Sequence, residues 1–309
     1  MKNVLEWLEA TVEKYLDKPA FSDTECSITF RQVYDIARNT GAYLVEQLGV
    51  DRTPVAVFAG RKMVTPAYFL GVVYAGRPYA PIDASLPDKR IEKILENLCP
   101  GAIVADRESR EHVESIVDEL AKAEGFDRPQ IFIAEDISRF EQVACADSNC
   151  KISESAGDAV TDSENDMLAV VRRQMSMTDP LYIIYTSGST GNPKGVMTSH
   201  LSLMTYINAY CDVMHIEESD VLGNQSPLDY IAAIRDIYLP LKTGCSTAII
   251  PKEYFMEPNA LFDYMNEKKV SSVGWSVSAF TILTSLGAFE EVGRIIVWII
   301  QWKRTRCFL

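Results

Sequence analysis

Apolar and polar positions along this chain switch repeatedly between two periods. In ITFRQVYDIARNTGAYLVEQLGV, Val33, Ile36, Ala37, Tyr43 and Leu44 fall near helical spacing, and Gly49 predicts the stop. PVAVFAG follows as a short apolar run closed by glycine, the mark of a buried strand. MVTPAYFLGVVYAG predicts a second helix, PYAPID an extended stretch, and LPDKRIEKILENL a charged helix opened by proline. GAIVA and IFIA read as further strands, separated by the helical EHVESIVDELAKA. Farther on, HLSLMTYINAYCDVM is helical, and IRDIYLPLKTGCSTAIIP gives helix, glycine turn and strand. ALFDYMNEKKVSSVGW gives one more helix and strand. Strands alternating with helix-length segments predict βαβ units: an α/β fold of mostly parallel sheets flanked by helices.

One stretch breaks the pattern. Residues from about 145 to 166, ACADSNCKISESAGDAVTDSEND and its surroundings, are rich in Ser, Asp and Glu and poor in bulky apolars. They are expected to form an exposed, mobile acidic loop inside one domain. The N-terminal MKNVLEWLEATVEKYL has the periodicity of an amphipathic helix and lacks the basic start of a signal peptide.

Composition narrows the partners. The 309 residues carry a net charge of −13, with the acidic residues spread along the chain. A nucleic acid or an anionic membrane needs a basic face, so neither is expected as a partner. No apolar run approaches the ~20 residues that span a bilayer. Seven cysteines without a CxxC pair, and only three histidines, give no zinc-ligand spacing. Reduced thiols in a cytoplasmic protein are the simplest account.

The candidate chemistry lies in PLYIIYTSGSTGNPKGVMTSH, residues 180–200. YIIY has the character of a buried strand, and the ten residues from Thr186 to Gly195 contain three glycines. Glycines let successive backbone N–H groups point into one concavity. The hydroxyls of Thr186, Ser187, Ser189 and Thr190 add donors, and Lys194 adds a mobile positive charge. Many donors, one cation and little bulk suit a polyphosphate. The spacing is not that of a Walker A loop, because Pro193 precedes the lysine and Gly195 follows it. That excludes a generic P-loop NTPase. No G-x-G-x-x-G occurs here either, so a dinucleotide fold has no support.

YTSGSTGNPKGV resembles the signature loop of the adenylate-forming (AMP-binding) enzymes, which include acyl-CoA synthetases, luciferases and the adenylation domains of nonribosomal peptide synthetases. YAGRPYAPIDASLPDKRIEKIL, ITFRQVYDIARNTGAYL, SLMTYINAY and DIYLPLKTG agree with the same family in order and spacing. The flavour is nearest to peptide-synthetase adenylation domains and to D-alanine–carrier protein ligases. The resemblance implies ATP-dependent, AMP-forming activation of a carboxylic or amino acid, followed by transfer to a thiol, such as a phosphopantetheinyl carrier protein. It implies that Thr186, Ser187, Gly188, Ser189, Thr190, Gly191 and Lys194 wrap the β,γ-phosphates of ATP, with Thr190 helping to place Mg2+.

Two departures qualify that implication. Amino-acid-activating members place an aspartate against the substrate's ammonium group; aligning Pro227 and Asp236 puts Ile231 at that position, with Asp229 two residues earlier. Either the substrate lacks an α-amine, or Asp229 takes the role through a bulged backbone, or Asp229 is a plain surface carboxylate. The family's later elements, which contact adenine, ribose and the reacting carboxylate, have no counterpart, so no catalytic residue is assigned. Residues 1–294 are therefore expected to form an incomplete N-terminal adenylation domain, lacking the later barrel region and the C-terminal mobile domain. Residues 295–309, ending WIIQWKRTRCFL, are an atypical tail. A shifted frame or early stop accounts for it, with a basic-aromatic docking tail as the alternative. The competing functional reading is an inactive fragment that binds nucleotide weakly or associates with a partner.

Overall fold

The computed structural model describes residues 2–139, 167–187 and 192–285. The expected acidic loop and the tail fall outside them. The chain opens with α1 (Leu5–Tyr15), the strands β1 (Pro19–Ser22) and β2 (Ser27–Thr29), and α2 (Phe30–Leu48). There follow β3 (Val55–Phe58), α3 (Thr65–Tyr74), β4 (Tyr79–Pro81), α4 (Asp88–Leu98), β5 (Ala102–Ala105) and α5 (Arg110–Leu120). Next come β6 (Gln130–Ile133), α6 (Ala134–Ser138), α7 (Met167–Gln174), β7 (Pro180–Ser187), β8 (Pro193–Ser199) and α8 (His200–Met214). The last elements are β9 (Val221–Asn224), α9 (Ile231–Thr243), β10 (Ser246–Ile249), α10 (Pro258–Glu267), β11 (Ser272–Val273) and α11 (Val277–Ser285).

Two sheets result. One has six strands in the order β6-β5-β3-β4-β7-β8, the other five in the order β11-β9-β10-β1-β2. Pairing is parallel except at β7/β8 and β1/β2. The mostly parallel α/β expectation therefore holds. VAVF and AIVA are buried at every position, as strands covered on both faces must be.

Side-chain alternation splits the six-stranded sheet between two cores. Val55, Val57, Tyr182 and Ile184 face α1, α2, α3, α8 and α9, which fill the space between the sheets. Ala56, Phe58, Ile103 and Ile183 face α4 and α5 on the outside. A third core lies under α10 and α11. The layers thus run helix, sheet, helix, sheet, helix.

Local chemistry explains the placement of the inner helices. A reciprocal capping box between Thr29 and Gln32 starts α2, and Gly49, at φ 69°, ends it as expected. Arg77, from the AGRPYAP stretch, is buried and donates to the carbonyls of Leu48, Gly49 and Thr53, while pairing with Asp51 at 2.5 Å. It thereby closes the C-terminal end of α2. His200 is 1% exposed and accepts a hydrogen bond from the Val4 N–H at 3.4 Å, tying the start of α1 to the junction of β8 and α8. Burial pushes its imidazole down to about 4.

Candidate functional site

The C-terminal ends of strands β4, β7 and β9 lead into the three segments that the sequence singles out: PIDASLPDKR, the Gly/Ser/Thr loop, and NQSPLDY. That edge is where open α/β sheets bind ligands. The Gly/Ser/Thr segment is not one loop of ten residues. β7 runs on through Thr186 and Ser187, and β8 begins at Pro193, so the segment is the tip of an antiparallel hairpin. Thr186 stands opposite Lys194, and Ser187 opposite Pro193. The strands extend farther than propensity suggested because pairing satisfies their backbone groups in register. Gly188, Ser189, Thr190 and Gly191 lie outside the described residues, and so does the expected metal-placing role of Thr190.

Lys194 is exposed, and no carboxylate among the described residues pairs with it. The Thr186 hydroxyl reaches the Lys194 carbonyl at 3.5 Å. Gly195 has a packing role that the sequence did not reveal. A Cβ built there would stand 2.9 Å from Ile183 Cγ2 and 3.1 Å from Tyr185 Cζ. The Tyr185 ring therefore lies across the bare backbone of Gly195. Its hydroxyl continues to α4, donating to Asn97 Oδ1 at 2.9 Å. Burial pushes the Tyr185 phenol up to about 12, so it remains a neutral donor at ordinary pH.

Helix α4 also meets the other side of the turn. Lys93 Nζ donates to Asn192 Oδ1 at 3.2 Å. One turn earlier on the same stripe, Arg90 lies close enough to Asp229 for its charge to draw down that carboxyl. Asp229 sits inside a turn closed by the Tyr230 N–H to the Pro227 carbonyl at 3.1 Å, and is half-buried against Asp83. Burial, then the Asp83 charge, raise its pKa above the usual carboxylate range; hydrogen bonds and Arg90 oppose the rise. Ile231 opens α9 and is 52% exposed.

A buried polar network, unnoticed in the sequence, joins the two sheets beside this edge. The loop after β3 supplies Arg61, which donates to the Asn224 carbonyl at 2.8 Å and to its side-chain oxygen at 3.1 Å. Asn224 in turn donates to Asp236 Oδ2 at 3.0 Å, and Arg235 bonds Asp236 and the Gly274 carbonyl. Gly274 is bare because a Cβ would fall 2.3 Å from the Arg235 guanidinium carbon. Burial pushes Arg61 down to about 10, against the pull of Asp236 and Glu253. In the sequence, DIYLPLKTG marks this place but shows no partner for its aspartate.

Known proteins share both sequence and architecture with this chain. The D-alanine–D-alanyl carrier protein ligase of Bacillus velezensis is 29% identical over 265 residues, covering 84% of this chain and 46% of the ligase. The corresponding ligase of Bacillus licheniformis is 26% identical over 268 residues, with the same coverage. The chain thus spans about half the length of these curated relatives. The four-domain nonribosomal peptide synthetase AB3403, solved with AMP and glycine, superposes with a TM-score of 0.69 at 18% identity, over 92% of this chain and 18% of the synthetase. The N-terminal subdomain of Klebsiella oxytoca NpsA, in complex with 3-hydroxybenzoyl-AMSN, gives 0.69 at 18% identity, over 92% of this chain and 62% of its own. Among the described residues no helix is long and apolar enough to cross a membrane. With residues 8–297 matching the family's profile, the chain belongs to the AMP-binding enzymes.

Proposed function

We propose that this chain forms the phosphate-binding part of a carboxylate-adenylating enzyme and that the β7–β8 hairpin cradles the triphosphate of ATP. In the reaction, a carboxylate oxygen attacks the α-phosphorus, pyrophosphate leaves, and an acyl-adenylate forms. The acyl group then passes to a thiol with release of AMP. The carrier-protein ligases among its relatives favour a phosphopantetheinyl thiol as the acceptor.

The main obstacle is the approach of two anions, and preorganised donors offset that repulsion. The observation that carries the reading is Lys194: exposed beside the glycine-rich turn, opposite Thr186, and unpaired with any described carboxylate. Thr186, Ser187, Gly188, Ser189, Thr190, Gly191 and Lys194 are proposed to wrap the β,γ-phosphates. Mg2+, placed with the help of Thr190, would share the phosphate charge. Asp229 is proposed to face the substrate's ammonium group if the acid carries one. Its elevated pKa and its neighbour Arg90 suit that task poorly, which favours an acid without an α-amine.

Calorimetric titration with ATP–Mg2+ tests the cradle. Saturable binding that Lys194→Ala weakens supports it; equal affinity in both proteins refutes it. Substrate-dependent ATP–pyrophosphate exchange, run over carboxylic acids with and without α-amines, reads the chemical step. A second reading is nucleotide binding without turnover. ATP binding without exchange for any acid would favour it.

A further inference from the structure

We infer that helix α4 is a latch for the phosphate hairpin and that Lys93 and Asn97 are positioning residues for nucleotide binding. The inference deepens the phosphate-cradle reading and rests on it. Three observations converge. Lys93 and Asn97 stand four residues apart on one exposed stripe of α4, whose opposite face is buried through Ile91, Ile94, Leu95 and Leu98. They bond the hairpin on both sides of its turn: Asn97 accepts from Tyr185 on β7, and Lys93 donates to Asn192 just before β8. The Tyr185 contact is possible because Gly195 leaves room for the ring to cross the strand.

The physical argument concerns the outer strand. Among the described residues, β8 is the edge of the six-stranded sheet and pairs only with β7. Its central residues, Lys194 to Met197, are exposed. A two-stranded ribbon fixed on one side alone would sample several positions, and each would carry Lys194 with it. Two side-chain bonds to a helix packed in the outer core hold β7 at Tyr185 and the chain entering β8 at Asn192 in one position before nucleotide arrives. Preorganisation of that kind lowers the ordering cost of binding. The glycine after the lysine then serves the phosphate indirectly, as the seat of the Tyr185 ring.

The test combines ATP–Mg2+ calorimetry on the full chain with hydrogen exchange of β7 and β8. Asn97→Ala, Tyr185→Phe and Lys93→Met should each weaken ATP binding about three- to tenfold, the range of one lost hydrogen bond. Lys93→Arg should restore affinity, and melting temperatures should fall by no more than a few degrees. Exchange in 182–187 and 193–197 should quicken in Asn97→Ala and not elsewhere. Wild-type affinity in Asn97→Ala and Tyr185→Phe, with Lys194→Ala still weakened, overturns the latch and leaves the cradle standing. Absent ATP binding, or equal affinity in Lys194→Ala, ends the cradle reading instead; unchanged exchange in Asn97→Ala then rejects the latch on its own evidence. Faster exchange with unchanged affinity also overturns the positioning role.

Discussion

Gly195→Ala is the most informative single change, because it perturbs packing, the α4 contact and the proposed cradle together. The new methyl would stand 2.9 Å from Ile183 Cγ2, 3.1 Å from Tyr185 Cζ and 3.3 Å from Tyr185 Oη. Carbon atoms in good contact sit about 3.5–4.0 Å apart, so each carbon contact is short by about 0.4–1 Å. Ile183 is 5% exposed and fixed in the outer core, and it cannot retreat far. The Tyr185 ring is half-buried and can swing outward, at the cost of its bond to Asn97. Overpacking of this kind costs about 1–3 kcal/mol, and the lost hydrogen bond about 1 kcal/mol of that. Urea denaturation should report the loss. Tyr185→Ala removes the obstructing ring, so Gly195→Ala should cost less in its presence, a non-additivity that a double-mutant cycle measures. Full stability in Gly195→Ala, or strict additivity in the cycle, would refute the claim that this glycine exists to seat the ring.

Other predictions rest on separate features. The depressed pKa of His200, about 4 against an ordinary 6.5, means that the unfolded chain binds the extra proton first. Its contribution, about 3 kcal/mol, is present above pH 6.5 and is lost as pH falls through 4. Urea titrations from pH 7 to pH 4 should show that loss, and it should shrink in His200→Gln; equal slopes would sink the assignment. Ile103→Ala, at a fully buried site in the centre of β5, should cost about 2–5 kcal/mol by denaturation. Arg77→Met should cost about 2–4 kcal/mol, because three carbonyls lose a charged donor. Asp51→Asn should cost under about 1 kcal/mol, since that partner is half-exposed; comparable losses in the two would contradict the capping role.

Much of this architecture was legible in advance, for identifiable reasons. The long helices α2, α4, α5 and α8 carry strong periodicity or clear stops, and VAVF and AIVA are short apolar runs bounded by turn residues. The strands β1, β2 and β9 escaped notice because three or four residues cannot display a period. β8 escaped for a different cause: its burial pattern is that of an exposed edge strand, and its register with β7 is tertiary information. At the site, the proposed phosphate cradle rests on the types and order of residues in the Gly/Ser/Thr segment. Nothing in the order of residues linked Tyr185 to Asn97, or Arg61 to Asn224, because these contacts span 88 and 163 positions. Asp229 was visible as a candidate, but its apposition to Asp83 was not.

The pairing of β1 with β10, Phe21 beside Thr247, carries a consequence for biosynthesis. A ribosome adds about 5–20 residues per second, so the N-terminal strand waits roughly 10–45 s for its neighbour. Meanwhile β3 to β6 can assemble with α3, α4 and α5, since their partners are close in sequence. Nascent chains stalled before residue 246 should therefore present Ala20 and Phe21 to chaperones while the neighbouring sheet is already protected.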